Sequence, residues 1–448
     1  MNLAKYQNIF FIGIGGIGMS ALARYFKSRG LNVAGYDKTP SAITKALQNE
    51  GIAIHFIDGV SQISSDFKAI EKTLVVYTPA IPVGSEELNY FNQNGFDVFK
   101  RARVLAEIAN IGKSIAVGGT HGKTTTSCLI THIFNQNTQQ VSAFLGGIAK
   151  NFESNFVAGS TDTVVLEADE FDRSFHFLEP DIALITSMDA DHLDIYGTDE
   201  KIQEAFADFA KRVKQNGKVV AKHGLPLPGI TYGLTPKANY SATDITINDG
   251  RYKFTLTTKN GNKATITTGL PGRHNVENAT GAAAACLEFG LPLKQVVKGI
   301  ESFTGVIRRF DLRAKNANHI YIDDYAHHPQ EIKAFLNSVR EMYPDKKITA
   351  IFQPHLFSRT RDFISGFAES LALADELILL DIYPAREEAI PGVTSEWLLS
   401  LIELADKKLL DKKETLAWVK SNKPELLVTI GAGDIDRLVE PITAILEE

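Results

Sequence analysis

Cysteine, tryptophan and methionine are scarce in this chain of 448 residues, which has two, two and four of them. Two cysteines, Cys128 and Cys286, cannot build a disulfide framework, so we expect a reducing compartment. No apolar run approaches the roughly 18 residues that a transmembrane helix needs. Positive charge is not in excess either, because the chain has 47 Lys and Arg but 53 Asp and Glu, for a net charge of −6. This balance argues against a broad nucleic-acid surface but allows a small phosphate site.

The N-terminus has the outline of a secretory signal peptide, because Lys5 precedes an apolar stretch at 9–14. Four glycines interrupt that stretch, at positions 13, 15, 16 and 18. They are better explained by a strand that enters a glycine loop. We therefore expect no signal peptide.

Strand and helix patterns alternate along the chain, which predicts parallel, doubly wound α/β sheets. At about 150 residues per domain, the length predicts roughly three domains, and the patterns divide near residues 107 and 311. Strands are predicted at 8–14, 31–36, 73–77, 114–117, 164–166, 182–185, 320–322, 347–352, 376–380 and 426–430, and helices at 19–29, 124–135 and 278–287. Residues 240–268 instead alternate apolar and polar with a turn at Asn260-Gly261, which predicts a small antiparallel insertion.

Gly13, Gly15 and Gly18 form a GxGxxG pattern after the first predicted strand, and Asp37 ends the second strand, 24 residues after Gly13. Such glycines allow a tight turn and close approach to a diphosphate, while the acid stands where a ribose-binding carboxylate would lie. A turn that only lets strand and helix pack is the alternative. We favour a nucleotide diphosphate site, for which NAD and a UDP-sugar both fit.

Residues 118–126 read GGTHGKTTT between a predicted strand and a predicted helix. In such a loop backbone N–H groups cradle phosphates, Lys123 reaches the terminal phosphates and Thr124 can hold Mg²⁺. The pattern departs from the usual P-loop, because Val117 stands five residues before Gly122. The strand–loop–helix context favours ATP binding over a solvated turn.

Acidic side chains follow two further predicted strands of this region, in EADE at 167–170 and DADHLD at 189–194. Each alone could cap a following helix. Together they meet at the carboxyl edge of one sheet, where ligands bind. Glu167 is then a candidate Mg²⁺ ligand, and His192 could hold a second metal or a phosphate.

Later strand ends and loops collect His, Arg, Tyr and Asp, although a lone histidine is more often structural than functional. Arginines in such positions suit carboxylate or phosphate recognition. These clusters are GRHNVEN at 272–278, RRF at 308–310, DDYAHHP at 323–329 and QPH at 353–355, with Arg359 and Arg361 close by.

The combination of these motifs resembles the Mur ligases of peptidoglycan synthesis, in the same order and over essentially the whole chain. The segments GIGGIGMSALA at 13–23 and QPHLFSRTRDF at 353–363 are similar to the member that adds L-alanine to UDP-N-acetylmuramate. The murein tripeptide recycling branch shares the middle motifs, but its counterparts of these two segments differ.

The resemblance implies an ATP-dependent acid–amino-acid ligase of the bacterial cytoplasm, a monomer or homodimer without nucleic-acid binding or membrane insertion. It implies an α/β protein with three domains. Residues 1–107 would form a Rossmann-like domain for UDP-N-acetylmuramate, and residues 108–310 a central P-loop ATPase-like domain with a parallel sheet and the small antiparallel insertion. Residues 311–448 would form a Rossmann-like domain that binds L-alanine and closes on ATP, with hinges near 107–113 and 308–313.

The resemblance also implies roles for individual residues, in four groups. UDP-N-acetylmuramate would contact Gly13, Gly15, Gly16, Ile17, Gly18, Asp37 and Arg101. ATP would contact Gly119, Thr120, His121, Gly122, Lys123, Thr124, Thr125, Asn278, Arg309 and Asp324. L-alanine would contact Tyr325, His327, His355 and Arg359. Two Mg²⁺ ions would be held by Thr124, Glu167 and His192, and the catalytic set would be Lys123, His121, His192 and His327.

Three positions depart from the family pattern. Ser187 stands where the family often has Asn, and Ala326 where Gly is frequent beside Tyr325. Several relatives carry a carbamylated lysine about fourteen residues after the metal histidine, but gap-free counting places Phe206 there. That absence agrees with the alanine-adding member.

The implied reaction makes an acyl phosphate from ATP and the lactoyl carboxylate, which the amine of L-alanine then attacks. His327 and His355 are both candidates for the base that the amine needs. Two other classes compete with this interpretation. A nicotinamide-dependent dehydrogenase with an accessory ATPase domain would leave the third domain unexplained, and a non-catalytic P-loop module would leave the metal ligands unexplained.

Overall fold

The computed structural model describes residues 2–136, 140–189, 196, 198–248, 250–385 and 387–448. The chain divides into two compact units. The first contains residues 1–244, 255–266 and 277–303, and the second contains residues 245–254, 267–276 and 304–448.

The N-terminal sheet has five parallel strands in the order β3-β2-β1-β4-β5. Its strands are β1 Asn8–Ile12, β2 Asn32–Tyr36, β3 Ala53–His55, β4 Thr73–Tyr77 and β5 Asp97–Lys100, and its helices are α1 Ile17–Ser28, α2 Ala42–Asn49, α3 Glu86–Gln93 and α4 Arg101–Ile111. The three predicted strands of this region are confirmed, while the short strands β3 and β5 carried no clear pattern.

Helix α1 packs on this sheet because its apolar residues recur with helical spacing. Met19, Leu22, Ala23 and Phe26 are all buried and share one face. The helix begins at Ile17, two residues before the predicted start, so Gly18 lies in its first turn rather than in the loop. The positive end of the helix therefore points at the glycine loop.

The middle sheet has ten strands in the order β15-β14-β13-β12-β11-β10-β6-β9-β7-β8. Its strands are β6 Lys113–Gly118, β7 Val141–Ala149, β8 Ser154–Val157, β9 Ser160–Ala168, β10 Ile182–Ile185, β11 Lys218–Lys222, β12 Ile230–Gly233, β13 Tyr240–Asn248, β14 Arg251–Thr257 and β15 Lys263–Thr268. The helices of this region are α5 Lys123–Asn135, α6 Asp199–Lys211, α7 Arg273–Phe289 and α8 Leu293–Ser302.

Strands β13, β14 and β15 are the predicted insertion, at one edge of the middle sheet. Only two residues separate β13 from β14, which requires an antiparallel pair because parallel strands need a long crossover. The predicted turn is present, with the Gly261 N–H donating to the Thr258 carbonyl at 2.9 Å. The antiparallel pairing of β7 with β8 at the opposite edge was not predicted.

The third sheet has six strands in the order β16-β17-β21-β18-β19-β20, with β16 antiparallel at one edge. Its strands are β16 Asp311–Lys315, β17 Ile320–Asp324, β18 Ile348–Phe352, β19 Glu376–Leu379, β20 Lys407–Leu409 and β21 Leu426–Ile430. The helices are α9 Pro329–Met342, α10 Phe357–Asp362, α11 Ile364–Leu371, α12 Ser395–Leu401, α13 Lys412–Asn422 and α14 Val439–Glu447. All four predicted strands of this region are confirmed.

Short 3₁₀ helices complete the described elements, at Leu3–Lys5, Val60–Gln62, Ser65–Lys68, Ile70–Lys72, Phe171–Phe177 and Asp434–Leu438. Among the described residues, no helix combines the length and apolar character needed to cross a membrane. Cys128 and Cys286 are both buried and carry free thiols. The predicted domain boundaries at 107/108 and 310/311 stay predictions, and helix α4 continues to Ile111 across the first of them.

Candidate active site

The glycine loop of the first sheet is organised by Asp37, at the end of β2. Its Oδ2 accepts the Gly15 N–H at 2.7 Å, and its Oδ1 accepts the Thr39 N–H at 3.0 Å. Gly13, with φ of 86°, begins the turn between β1 and α1. The structure thus brings Asp37 to the predicted UDP loop, where the carboxylate supports the backbone.

Arg101 begins α4 and extends to the same loop. A Cβ added at Gly18 would lie 2.7 Å from its Nη1, so a larger residue there would displace this guanidinium from the loop. Its Nη2 lies 3.4 Å from Asp169 Oδ2, an acid of the EADE motif. Arg101 therefore connects the first turn of α1 with the acidic loop that follows β9.

The second glycine loop runs from the end of β6 to the start of α5. Gly119 has φ of 133°, and a Cβ there would fall 2.1 Å from Thr186 Oγ1, so no larger residue fits. A Cβ at Gly122 would lie 2.7 Å from Asn278 Oδ1, which places that predicted ATP residue against the loop. Thr125, on the first turn of α5, is nearly buried.

Ser187, the departure from the family pattern, supports this loop directly. Its Oγ accepts the His121 N–H at 2.8 Å and lies 2.8 Å from Thr120 Oγ1. Thr186, its neighbour, donates its hydroxyl to the His121 carbonyl. The His121 ring reaches toward Asp189, with 3.8 Å between Nε2 and Oδ2. The segment after β10 therefore holds the backbone of this loop through hydrogen bonds.

Lys123 is the first residue of α5, and its ammonium is fully engaged. Nζ donates to the Gly119 carbonyl at 2.6 Å and to both Glu170 oxygens at 2.7 and 2.8 Å. Glu170 is 1% exposed, so the pair is shielded from solvent. Burial is the largest single effect and acts to lower the pKa of Lys123, but the Glu170, Asp169 and Glu167 carboxylates together outweigh it and raise that pKa. The lysine is therefore a permanent cation in this site.

Thr124 and Glu167, two predicted Mg²⁺ ligands, are linked through Ser127. The Ser127 Oγ lies 3.1 Å from the Thr124 carbonyl oxygen and 3.3 Å from Glu167 Oε1, which also accepts the Gly146 N–H at 2.7 Å. His192, the third predicted ligand, lies outside the described residues. Within the described part of the chain, no group of three or more His, Cys, Asp or Glu is arranged to hold a metal.

A second cluster lies in the second unit, at the end of β17. The Asp324 carboxylate accepts the Phe310 N–H at 2.6 Å and the Ala326 N–H at 2.8 Å. Burial raises the pKa of Asp324 to about 7, although Arg309 opposes that rise. Arg309 stacks on the Tyr325 ring at 4.9 Å. Asp324 thus holds the backbone directly after each of these two residues.

His327 and His355 lie near one another, with 6.0 Å between their ring centroids. Burial lowers the pKa of each imidazole to about 4, and the Arg359 cation acts in the same direction on both. His327 Nδ1 lies 3.0 Å from the Tyr325 carbonyl, which can only accept, so this bond requires the Nδ1–H tautomer. Nε2 of His327 is then the nitrogen with a free lone pair.

Sequence analysis named Arg308 only as part of the RRF motif, without a role of its own, and it missed Tyr383. Arg308 donates to Asp323 and to the Gly431 carbonyl, at 3.1 and 2.5 Å, and so anchors the loop before β16. Tyr383 stacks on His355 at 5.7 Å between ring centroids. The position of Tyr383 could have indicated it. Tyr383 lies four residues after the end of β19, and His355 likewise follows the end of the neighbouring strand β18.

Comparison with known proteins matches three family models in order. Residues 8–112 match the Mur ligase family catalytic domain, residues 117–286 the Mur ligase middle domain, and residues 308–433 the Mur ligase glutamate ligase domain.

Relatives match along the whole chain. The UDP-N-acetylmuramate–L-alanine ligases of Flavobacterium johnsoniae and Flavobacterium psychrophilum are 49% and 50% identical over 448 residues, covering all of each chain. The crystal structure of UDP-N-acetylmuramate-alanine ligase from Thermotoga maritima superposes with a TM-score of 0.82 at 27% identity, covering 98% of both chains. A murein peptide ligase from Psychrobacter arcticus gives 0.73 at 22% identity over 98% of both chains, which shows the same fold. The expected resemblance is confirmed: this chain belongs to the Mur ligase family.

Proposed function

We propose that this protein joins L-alanine to the lactoyl carboxylate of UDP-N-acetylmuramate, with ATP converted to ADP and phosphate. The observation that carries the proposal is the glycine loop before α5, where the Lys123 ammonium is buried at the end of β6 and beside the acids that follow β9. The family membership makes the protein an ATP-dependent ligase. It also excludes the dehydrogenase and the non-catalytic module as alternatives.

The choice of L-alanine over the recycled tripeptide rests on the relatives. Proteins named for L-alanine ligation are about half identical to this chain along its full length. The murein peptide ligase structure is 22% identical and shows only that the fold is shared.

The nucleotide sugar is proposed to contact the loop at Gly13, Gly15, Gly16, Ile17 and Gly18, together with Asp37 and Arg101.

The first chemical step is proposed to occur at the glycine loop before α5. A lactoyl carboxylate oxygen attacks the γ-phosphorus of ATP, the bond to the bridging oxygen breaks, and ADP leaves. Backbone N–H groups at the start of α5 face the phosphates, since the first N–H groups of a helix have no partner inside it. Lys123 supplies a fixed positive charge, for which the incoming phosphates compete with Glu170.

Mg²⁺ fits the donors near this loop, because the Thr124 hydroxyl and the Glu167 carboxylate are oxygen ligands of the kind this ion prefers. We propose these two residues, with His192 for a second ion. When bound, the ions would neutralise phosphate charge. The Gly146 N–H and the Ser127 hydroxyl hold the Glu167 carboxylate in a fixed orientation.

The second step is attack of the L-alanine amine on the acyl phosphate, followed by loss of phosphate from the tetrahedral intermediate. We propose His327 as the base, because its tautomer leaves Nε2 free to accept the proton. A low pKa makes it a weak base toward the free amine. The nitrogen becomes far more acidic once it has bonded to the carbonyl carbon, so Nε2 can take the proton at that point.

We further propose that the enzyme works in the bacterial cytoplasm, as a monomer or homodimer. The three proposed substrates are small molecules, and no partner macromolecule is required by the chemistry. Arg359 and Tyr325 complete the set proposed to contact L-alanine, since a guanidinium is suited to its carboxylate.

The test is phosphate release by the purified protein with ATP, Mg²⁺ and UDP-N-acetylmuramate. L-alanine is compared with the L-Ala-γ-D-Glu-diaminopimelate tripeptide as the second substrate. We expect turnover with L-alanine and none above background with the tripeptide. Turnover with the tripeptide alone would assign the protein to the recycling branch, and turnover with neither would refute both assignments.

A further inference from the structure

The loop that carries His355 is held by a second segment, around Tyr383. His355 and Tyr383 form an isolated parallel bridge, in which the Tyr383 N–H donates to the Pro354 carbonyl at 2.8 Å. The Leu356 N–H donates to the Tyr383 carbonyl at 2.9 Å. The two rings are nearly parallel, at an interplanar angle of 24°. Backbone and side chain of His355 therefore both depend on this segment.

Leu356 has a backbone conformation that leucine rarely adopts, with φ of 69°. Such a conformation persists where surrounding contacts impose it, and it is frequent at functional sites. Leu356 directly precedes helix α10, Phe357–Asp362, and no side-chain hydrogen bond caps the helix from this position. The start of α10 therefore needs support from elsewhere in the chain.

Glu387 supplies that support. One carboxylate oxygen accepts the Ser358 N–H at 3.0 Å, and the other accepts the Ser358 hydroxyl. A carboxylate at the first turn of a helix satisfies a free N–H group and interacts favourably with the helix dipole. The next residue is Arg359, which is proposed to contact L-alanine.

We propose that Glu387 is a positioning residue for L-alanine, which fixes the first turn of α10 and with it the Arg359 guanidinium beside His355. This inference rests on the proposed function of that pocket. Glu387 acts through Ser358, which both of its carboxylate oxygens contact. Its loss should weaken amino-acid binding selectively, because the glycine loop and the ATP residues of the first unit make no use of it.

The experiment compares Glu387→Ala and Glu387→Gln with the matched control Glu388→Gln, which changes the adjacent, exposed acid. The KM values for L-alanine, ATP and UDP-N-acetylmuramate are measured together with kcat. For Glu387→Ala we expect the KM for L-alanine to rise about tenfold, with the other two KM values and kcat within about twofold. Glu388→Gln should leave all four values unchanged.

A double-mutant cycle with Ser358→Ala tests the route of the effect. If Glu387 acts through Ser358, the double variant should bind L-alanine about as weakly as the single Glu387→Ala variant. Additive effects, or an unchanged KM for L-alanine in Glu387→Ala, would overturn the inference. A parallel rise in all three KM values with lower thermal stability would also overturn it, since that is the signature of a merely structural role.

Failure of the inference is distinguishable from failure of the proposed function. A wild-type enzyme that does not use L-alanine overturns the proposed function, and the inference with it. If the wild-type enzyme uses L-alanine and Glu387→Ala has an unchanged KM for L-alanine, only the inference is overturned and the proposed function stands. Glu387→Gln keeps an oxygen acceptor for the Ser358 N–H and should stay close to the wild type. If Glu387→Ala does not fold, Glu387→Met has a similar length without an oxygen acceptor and decides the question by the same KM comparison.

Discussion

At the residue scale, the chemistry centres on one buried charge pair. Lys123 and Glu170 are 16% and 1% exposed, and the lysine's three donors are all used. Such a pair contributes little net stability by itself, because both charges lose their hydration. Removing one partner is costly, since the remaining charge stays buried without compensation.

Lys123→Ala should abolish phosphate release, by at least about a thousandfold, because the phosphates lose their fixed cation. The same change should lower the free energy of unfolding by about 3–5 kcal/mol, since Glu170 is left without its partner. Phosphate release and urea unfolding measure the two effects. The double variant Lys123→Ala/Glu170→Gln should recover most of the stability and none of the activity. Appreciable ligase activity in either variant would contradict the role of Lys123.

At the element scale, a buried amide joins helix α1 to strand β8. The Asn155 Nδ2 donates to the Ile17 carbonyl at 2.5 Å and to Ser20 Oγ at 3.0 Å, while its Oδ1 accepts from Arg24. Asn155 is 1% exposed. Since Ile17 begins the helix that follows the first glycine loop, this contact holds the N-terminal end of α1 in place.

Asn155→Ala should therefore raise the KM for UDP-N-acetylmuramate, by about tenfold, because the start of α1 loses its support. The free energy of unfolding should fall by about 1–3 kcal/mol, the cost of leaving buried polar groups unpaired. Steady-state kinetics and urea unfolding measure the two quantities. Asn49→Ala, on the exposed face of α2, is the control and should change neither. An unchanged KM for the nucleotide sugar would show that α1 does not need this contact.

At the scale of the whole molecule, the second unit carries three histidines whose pKa burial lowers to about 4. These are His274, His327 and His355. An unfolded chain binds a proton at each of them near pH 6.5, whereas the folded chain does so only near pH 4. The stability they contribute is therefore complete above pH 6.5 and is lost as the pH falls toward 4.

Each of these histidines should accordingly lower the stability of the second unit by about 2 kcal/mol between pH 7 and pH 5. Asp324 should offset about 2 kcal/mol of the total, because its pKa of about 7 lets the folded chain bind a proton there before the unfolded chain does. Both tryptophans, Trp397 and Trp418, lie in this unit, so their fluorescence follows its unfolding in urea. His274→Gln should reduce the loss by about 2 kcal/mol, because one titrating group is removed. A pH dependence that is the same in this variant and the wild type would contradict the assignment.

The sequence by itself determined the alternation of elements and the position of most strands, because continuous apolar runs followed by glycines or acids are local signals. It also determined the residues of the glycine loops, and motif order was enough to identify the family. It predicted Lys123 and Thr124 from the glycine-loop motif, and Glu167 because strand ends of one parallel sheet meet at one edge.

Only the tertiary structure decided which of these residues touch. The pairing of Lys123 with Glu170, the support of His121 by Ser187 and the capping of α10 by Glu387 join residues 29–66 positions apart. Such contacts leave no local pattern, because side-chain hydrogen bonds depend on distances that the packing of distant elements sets. The tautomer of His327 was decided in the same way, by the position of one carbonyl group.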